Sequence, residues 1–189
     1  MLRKFLIPAF LALVASPPVL ANPDVWVTTN WHVQMAGHSV TGLTLDWTFD
    51  PFASSYLFTT FDADGDGTVT NQEAQAKEDE LFAPIAEQDW YLTILGDGAP
   101  VSWHLQHVEP VFEPDHFGLK LTVSFDGLQA PFAASLHDDV LFFDFSFAGD
   151  DFLTVEGPVD PACRFVAGPG EGALEGHTST VTLRCGDPS

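Results

Sequence analysis

The chain has 189 residues, 46% of them hydrophobic and 13% aromatic, and sets 27 carboxylates against six Lys and Arg for a formal charge of −21. So acidic a composition excludes the partner classes that depend on clustered cations, nucleic acid and anionic membrane surfaces. It favours cations as ligands, and the length suits one domain with a substantial core.

In chain order, Arg3 and Lys4 precede an apolar run from Phe5 to Ala15, which Ser16-Pro17-Pro18 breaks before Val19-Leu20-Ala21. This predicts a cleavable signal peptide over residues 1–21 and an exported, periplasmic product, residues 22–189, forming a single domain. The apolar run is too short to cross about 30 Å of hydrocarbon, so no membrane anchor is expected. Beyond it Val25, Val27, Thr29, Trp31, Val33 and Met35 alternate with Thr28, Asn30, His32 and Gln34, the pattern of a half-buried strand. After Ala36-Gly37-His38, Leu43, Leu45, Trp47 and Phe49 alternate with Thr44, Asp46, Thr48 and Asp50 in a second strand. Val40 is out of phase with that set, which points to a bulge at Gly42.

Asp50-Pro51 then reads as an N-cap with proline at the first helical position, and Phe52, Leu57, Phe58 and Phe61 supply an apolar face. The helix runs into Asp62-Ala63-Asp64-Gly65-Asp66-Gly67-Thr68-Val69-Thr70-Asn71-Gln72-Glu73. Asp62, Asp64 and Asp66 each offer an oxygen, Thr68 a backbone carbonyl, Thr70 an oxygen directly or through water, and Glu73 both carboxylate oxygens. Hard oxygen donors in that number suit Ca2+ better than zinc or copper. Gly67 permits the positive-φ bend that turns the donors inward. Thr70 and Glu73 also have the spacing of a capping box, followed by Ala74, Leu81 and Ile85 as the stripe of an exiting helix that Pro84 disturbs. Residues 50–88 together resemble an EF-hand, a resemblance that implies one bound calcium ion. With one hand in view, the short strand centred on Val69 has no partner, so the expected affinity falls in the range of about 10⁻⁴ to 10⁻³ M.

Strand chemistry then returns. Trp90 to Leu95, Gly96-Asp97-Gly98 and Val101 to Val108 read as a hairpin, followed by strands at Phe117–Phe125 and Val140–Phe147. Shorter strands are predicted at Phe152–Glu156, Arg164–Ala167 and Thr178–Cys185, with Gly168-Pro169-Gly170-Glu171-Gly172 as a loop. Eight or nine short strands with one helical insertion predict an α+β fold, mainly an antiparallel β sandwich or open barrel. Most of the 17 Phe and five Trp are then core material. Cys163 and Cys185, an even pair in an exported chain, are expected to form a disulfide stabilising the fold by about 3 kcal/mol.

The seven histidines suggest a second chemistry. His32 and His104 fall on predicted polar faces and His137 adjoins Asp138 and Asp139, so imidazole and carboxylate would bind zinc, nickel or copper if the fold gathered them. His104 and His107, three apart, face opposite sides of a strand unless a bulge intervenes. No Gly-x-Ser-x-Gly, His-Glu-x-x-His or phosphate-binding loop is present, so no enzyme is expected. A hydrolase working through Asp138 and Asp139 or Asp150 and Asp151 rests on acid pairs that so acidic a chain contains by chance.

The opening Asn22-Pro23-Asp24-Val25-Trp26-Val27, then Trp47-Thr48-Phe49-Asp50 with Phe52 and Ser54, then the acidic loop, is similar to an uncharacterised bacterial periplasmic family. That family is labelled a periplasmic component of an ABC-type transport system and linked with nickel, cobalt or zinc transporters. The resemblance implies a metal-transport setting and a membrane transporter component as partner. Its members carry His-Pro-His near the mature N-terminus where this chain has Asn22 and Asp24, so that metal site does not carry over. The expectation is therefore a calcium-binding periplasmic protein, structural or accessory to metal transport, with transition-metal delivery as the alternative.

Overall fold

The computed structural model describes residues 24–140, 142–169 and 178–186. The expected signal peptide, Asn22, Pro23, Leu141, His177 and residues 170–172 of the expected loop lie outside them. None of the described helices is long and apolar enough to cross a membrane.

Among the described residues, two mostly antiparallel sheets and two α-helices make an α+β sandwich with no closed barrel. The first sheet is built on β1 (Val25–Ala36) and β2 (Ser39–Phe49), whose alternation buries Val27, Thr29, Trp31 and Val33 on one strand and Leu43, Leu45, Trp47 and Phe49 on the other. β5 (His104–Glu113) and β6 (His116–Leu128) extend it beyond β2. On the other side β1 pairs in parallel with β8 (Phe143–Phe147) and with β9 (Leu153–Glu156). The second sheet runs β10 (Cys163–Pro169), β11 (Ser179–Cys185), β7 (Phe132–Leu136), β3 (Leu92–Gly96) and β4 (Ala99–Pro100). Eleven strands are thus described where eight or nine were expected.

The sheets meet through aromatic and aliphatic side chains. Phe125 of β6 stacks on Phe132 of β7 across the two sheets at 5.9 Å, and on the inner face of the first sheet Trp47 of β2 meets Phe145 of β8 edge-on at 5.1 Å. A polar thread crosses the same core: buried Thr29 donates its hydroxyl to the Ser146 carbonyl, accepts from Trp31 Nε1, and lies 3.5 Å from Ser179 Oγ. Each buried hydroxyl so partnered avoids a desolvation cost of about 1–3 kcal/mol. The expected bulge is present, since the β2–β6 register shifts between Val40 and Gly42. A Cβ at Gly42 would stand 2.8 Å from Gln34 Oε1 and 2.9 Å from the Val123 carbonyl, which accounts for glycine there.

The helical insertion is α1 (Pro51–Phe61) and α2 (Asn71–Ala86), with the acidic loop between them. Asp50 caps α1 as expected, its Oδ1 accepting the N–H groups of Phe52 and Ala53 while Oδ2 accepts that of Trp26 at the start of β1. Ser54 fastens the same helix to the sheet, donating to the Phe49 carbonyl and accepting the Phe117 N–H. Phe61, fully buried, stacks on Phe117 at 5.6 Å and contacts Phe112 and Phe82. Phe52 does not share this face and is 82% exposed. It precedes Phe61 by nine residues, two and a half helical turns, and so points the opposite way.

Other boundaries differ from expectation for identifiable reasons. α2 continues past Pro84 for two residues, and Phe82 joins Ala74 on its buried face. Residues 68–70 form no strand, and Val69 packs against the core instead. Trp90 is no strand residue. Asp89, Trp90 and Tyr91 are all left-handed, with φ of 48°, 54° and 55°, costing roughly 1–2 kcal/mol per residue. Burial of Trp90 against Phe82 and packing of Tyr91 on Phe143 at 5.0 Å and Phe145 at 5.7 Å offset that strain. β3 finds its hairpin partner in Ala99–Pro100, across a turn with positive φ at Asp97 and Gly98, and the chain then crosses to the first sheet as β5. Val140 lies in a turn before β8 and is exposed. Gly168 and Pro169, expected in a loop, end β10 opposite Thr180 and Ser179. A disulfide joins Cys163 to Cys185, which face each other across β10 and β11.

Candidate metal centre

The acidic loop begins where α1 ends. Asp62 is the C-cap of α1, its N–H bonded to the Phe58 carbonyl, and no basic side chain occupies the last turn. The negative end of the helix dipole therefore meets Asp62, Asp64 and Asp66, an arrangement unfavourable without a counter-charge. One oxygen from each of these three carboxylates lies within 4.8 Å of the others. Among the described residues this is the one group of three or more His, Cys, Asp or Glu gathered so closely.

Backbone amides hold the carboxylates in place. Asp62 Oδ1 accepts the N–H groups of Gly65 (2.9 Å) and Asp66 (3.1 Å), and Oδ2 that of Gly67 (2.9 Å). Asp64 Oδ1 accepts the Asp66 N–H and Asp66 Oδ1 the Thr68 N–H, so each acid bends the chain toward the next. Gly67 takes the expected positive φ, 84°, as does Gly65 at 74°.

Glu73 approaches the loop from the other side. Its Oε2 accepts the N–H and hydroxyl of Thr70 while Thr70 Oγ1 accepts the Glu73 N–H, the expected capping box. Its Oε1 accepts the N–H groups of Ala63 at 2.9 Å and Asp64 at 3.3 Å, carrying the twelfth loop residue back to the second and third. Bonds from the Thr70 backbone and hydroxyl, with smaller help from Ala63 and Asp64, hold its carboxyl below the usual 4.5. Glu73 is thus drawn to the loop entrance but stands outside the close trio of aspartates. The Thr70 carbonyl is engaged by the Ala74 N–H at the start of α2.

This donor set fits a hard divalent cation. All donors are oxygen, the trio is exposed enough to load from solvent, and nitrogen and sulfur are absent from it.

The described histidines are dispersed. His32 meets Asp46 at 3.0 Å, His38 Asp160 at 3.4 Å, His116 Asp115 at 2.9 Å, His137 Asp139 at 3.7 Å and His107 Glu109 at 3.8 Å. His32 on β1 and His104 on β5 are kept apart by β2 and β6. A bulge does intervene between Leu105 and His107, so His104 and His107 stand opposite Ser124 and Thr122 on one face, without a third ligand at close range. Asp138 is buried and spends its carboxylate on the N–H groups of Val140, Phe142 and Phe143, a structural duty sequence reasoning missed.

The chain belongs to the family described as "Protein of unknown function (DUF1007)", whose model matches residues 7–174. No curated protein matches it.

Proposed function

We propose that this family member is an exported calcium-binding protein whose helix-loop-helix works as a single EF-hand. The observation that carries the reading is the convergence of Asp62, Asp64 and Asp66 at the negative end of α1, with Glu73 brought back to the loop entrance. Asp62, Asp64, Asp66, Thr68, Thr70 and Glu73 would hold the ion. Bound there, calcium supplies a double positive charge that offsets repulsion among the carboxylates. The chain's own contribution is the scaffold: Phe61 anchors the entrance on Phe117, and the Thr70–Glu73 box anchors the exit.

The role that follows is structural, accessory to metal handling in the periplasm and, in that setting, to a membrane transporter component. A hard cation is preferred to nickel, cobalt or zinc because five of the described histidines contact carboxylates in dispersed pairs. Calorimetric titration with calcium tests the reading. The expected result is one site with Kd of about 10⁻⁴ to 10⁻³ M, lost in Glu73→Gln. No heat at millimolar calcium overturns it, and nickel, cobalt or zinc retained through dialysis would move the function to the histidines.

A further inference from the structure

Two depressions merge where the helices join the sandwich. One, of about 490 Å³, lies between α1, α2 and the ends of β1, β2, β6 and β8, with buried Phe49, Phe82, Phe117 and Phe143 among its walls. The other, of about 570 Å³, is bordered by Glu87, Asp89, His137, Asp138 and Asp139. Pro84, Tyr91 and Phe142 line both, so an apolar groove opens directly onto an acidic one.

The rim is as unusual as the floor. Phe52 is 82% exposed, Tyr56 65%, Val140 75% and Phe142 46%, and all four border this composite groove. Exposed apolar side chains scattered singly are ordinary, whereas several contiguous ones around a concavity mark an interaction surface. The charge is one-sided too: among the described residues no Lys or Arg lines either depression, and Glu87, Asp89 and Asp139 are exposed. Asp138 adds a charge anchored from beneath by three backbone N–H groups.

We infer that this groove docks a partner protein through a segment bearing large apolar side chains next to Lys or Arg. The apolar anchors would fill the cavity between α1 and α2, and the cations would lie over Glu87, Asp89 and Asp139. A protein segment fits better than a small amphiphile because Phe52 and Tyr56, which line the cavity, still leave 82% and 65% of their surface exposed, more than a ligand confined to it would cover. An aromatic centre with a charged margin is the usual anatomy of such an interface. None of the loop carboxylates lines the groove, so this docking and the calcium reading stand or fall separately.

The test is fluorescence anisotropy with a labelled amphipathic leucine/lysine peptide, titrated with the purified protein at about 0.15 M salt. A saturable complex is expected, weakened about tenfold or more by Phe52→Ser with Tyr56→Ser. Glu87→Gln with Asp139→Asn should weaken it mainly at low salt, and Val166→Ser, an exposed site on β10, should leave it unchanged. All the substituted side chains except Glu87 and Asp139 are exposed apolar groups, and far-UV circular dichroism verifies that every variant folds. If a serine/lysine peptide of equal charge binds as tightly, or the Phe52 and Tyr56 pair proves irrelevant, the attraction is merely that of a polyanion and the inference fails. It fails equally if dodecyltrimethylammonium saturates the groove while the leucine/lysine peptide does not bind.

Discussion

The loop at residues 62–73 and the sandwich that carries it are held by opposite means. In the loop every carboxylate bond joins residues ten or fewer apart and lies in solvent. In the sandwich Trp31, Trp47, Phe117 and Phe145 are buried, and Thr29 reaches Ser179 from 150 positions away in the chain. The loop is therefore sensitive to charge and the sandwich to volume. Local chemistry shapes the candidate site, and long-range packing only presents it.

Phe61 is where the two meet, so its removal gives the strongest challenge to that separation. Phe61→Ala should cost about 3–5 kcal/mol in urea unfolding, because a fully buried ring leaves a cavity beside Phe117 and Phe112. A loss below about 1 kcal/mol would mean that the sandwich does not depend on the insertion.

The disulfide bears on the sandwich alone. Cys163→Ser with Cys185→Ser should lower stability by about 3 kcal/mol, since the bridge closes a chain segment 22 residues long. Calcium titration of the double variant should match the parent; a changed affinity would show that the far edge of the second sheet reaches the loop.

A smaller effect is expected within the insertion. Thr70→Ala removes the cap of α2 and should cost about 1 kcal/mol locally. Lys77 lies in α2, so tryptic cleavage there should speed up about fivefold while the urea midpoint hardly moves. An equal fall in global stability would erase the distinction between the two regions.

The last effect is confined to alkaline pH. Burial, with the Asp138 carboxylate adding to it, pushes the Tyr91 phenol up to about 12 from its ordinary 10.0. The folded state thus keeps a proton that the unfolded chain releases, so this contribution is complete below pH 10 and lost as pH rises toward 12. Tyr91→Phe should flatten the decline of stability across that window, and an unaltered slope would remove Tyr91 as its source.

What the sequence made legible follows the same division. The Asp50-Pro51 cap, the Thr70–Glu73 box and the positive-φ glycine are local codes, and each is present in the structure. So is the alternation of β1 and β2, down to the register shift at Gly42. Tertiary decisions were not legible. β7 passed unnoticed because Phe132–Leu136 is short, alanine-bearing and preceded by Pro131, yet it is the central strand of the second sheet. Only the partnership of Glu109, Val111 and Phe112 with β6 shows that β5 continues through Pro110, a residue tolerated on an edge strand. At the loop, spacing named the six candidate ligands, but not that Glu73 would bind amides at the entrance rather than join the aspartates.

The parallel seam of β1 has a consequence for biosynthesis. Val25 pairs with Phe143 and Val33 with Val155, so the ribosome delivers this strand long before its neighbours on that side. A nascent or truncated polypeptide ending ahead of residue 156 leaves the Trp31–Val33 flank open to strands from other chains. Early termination should therefore yield insoluble material instead of a shortened but well-behaved product.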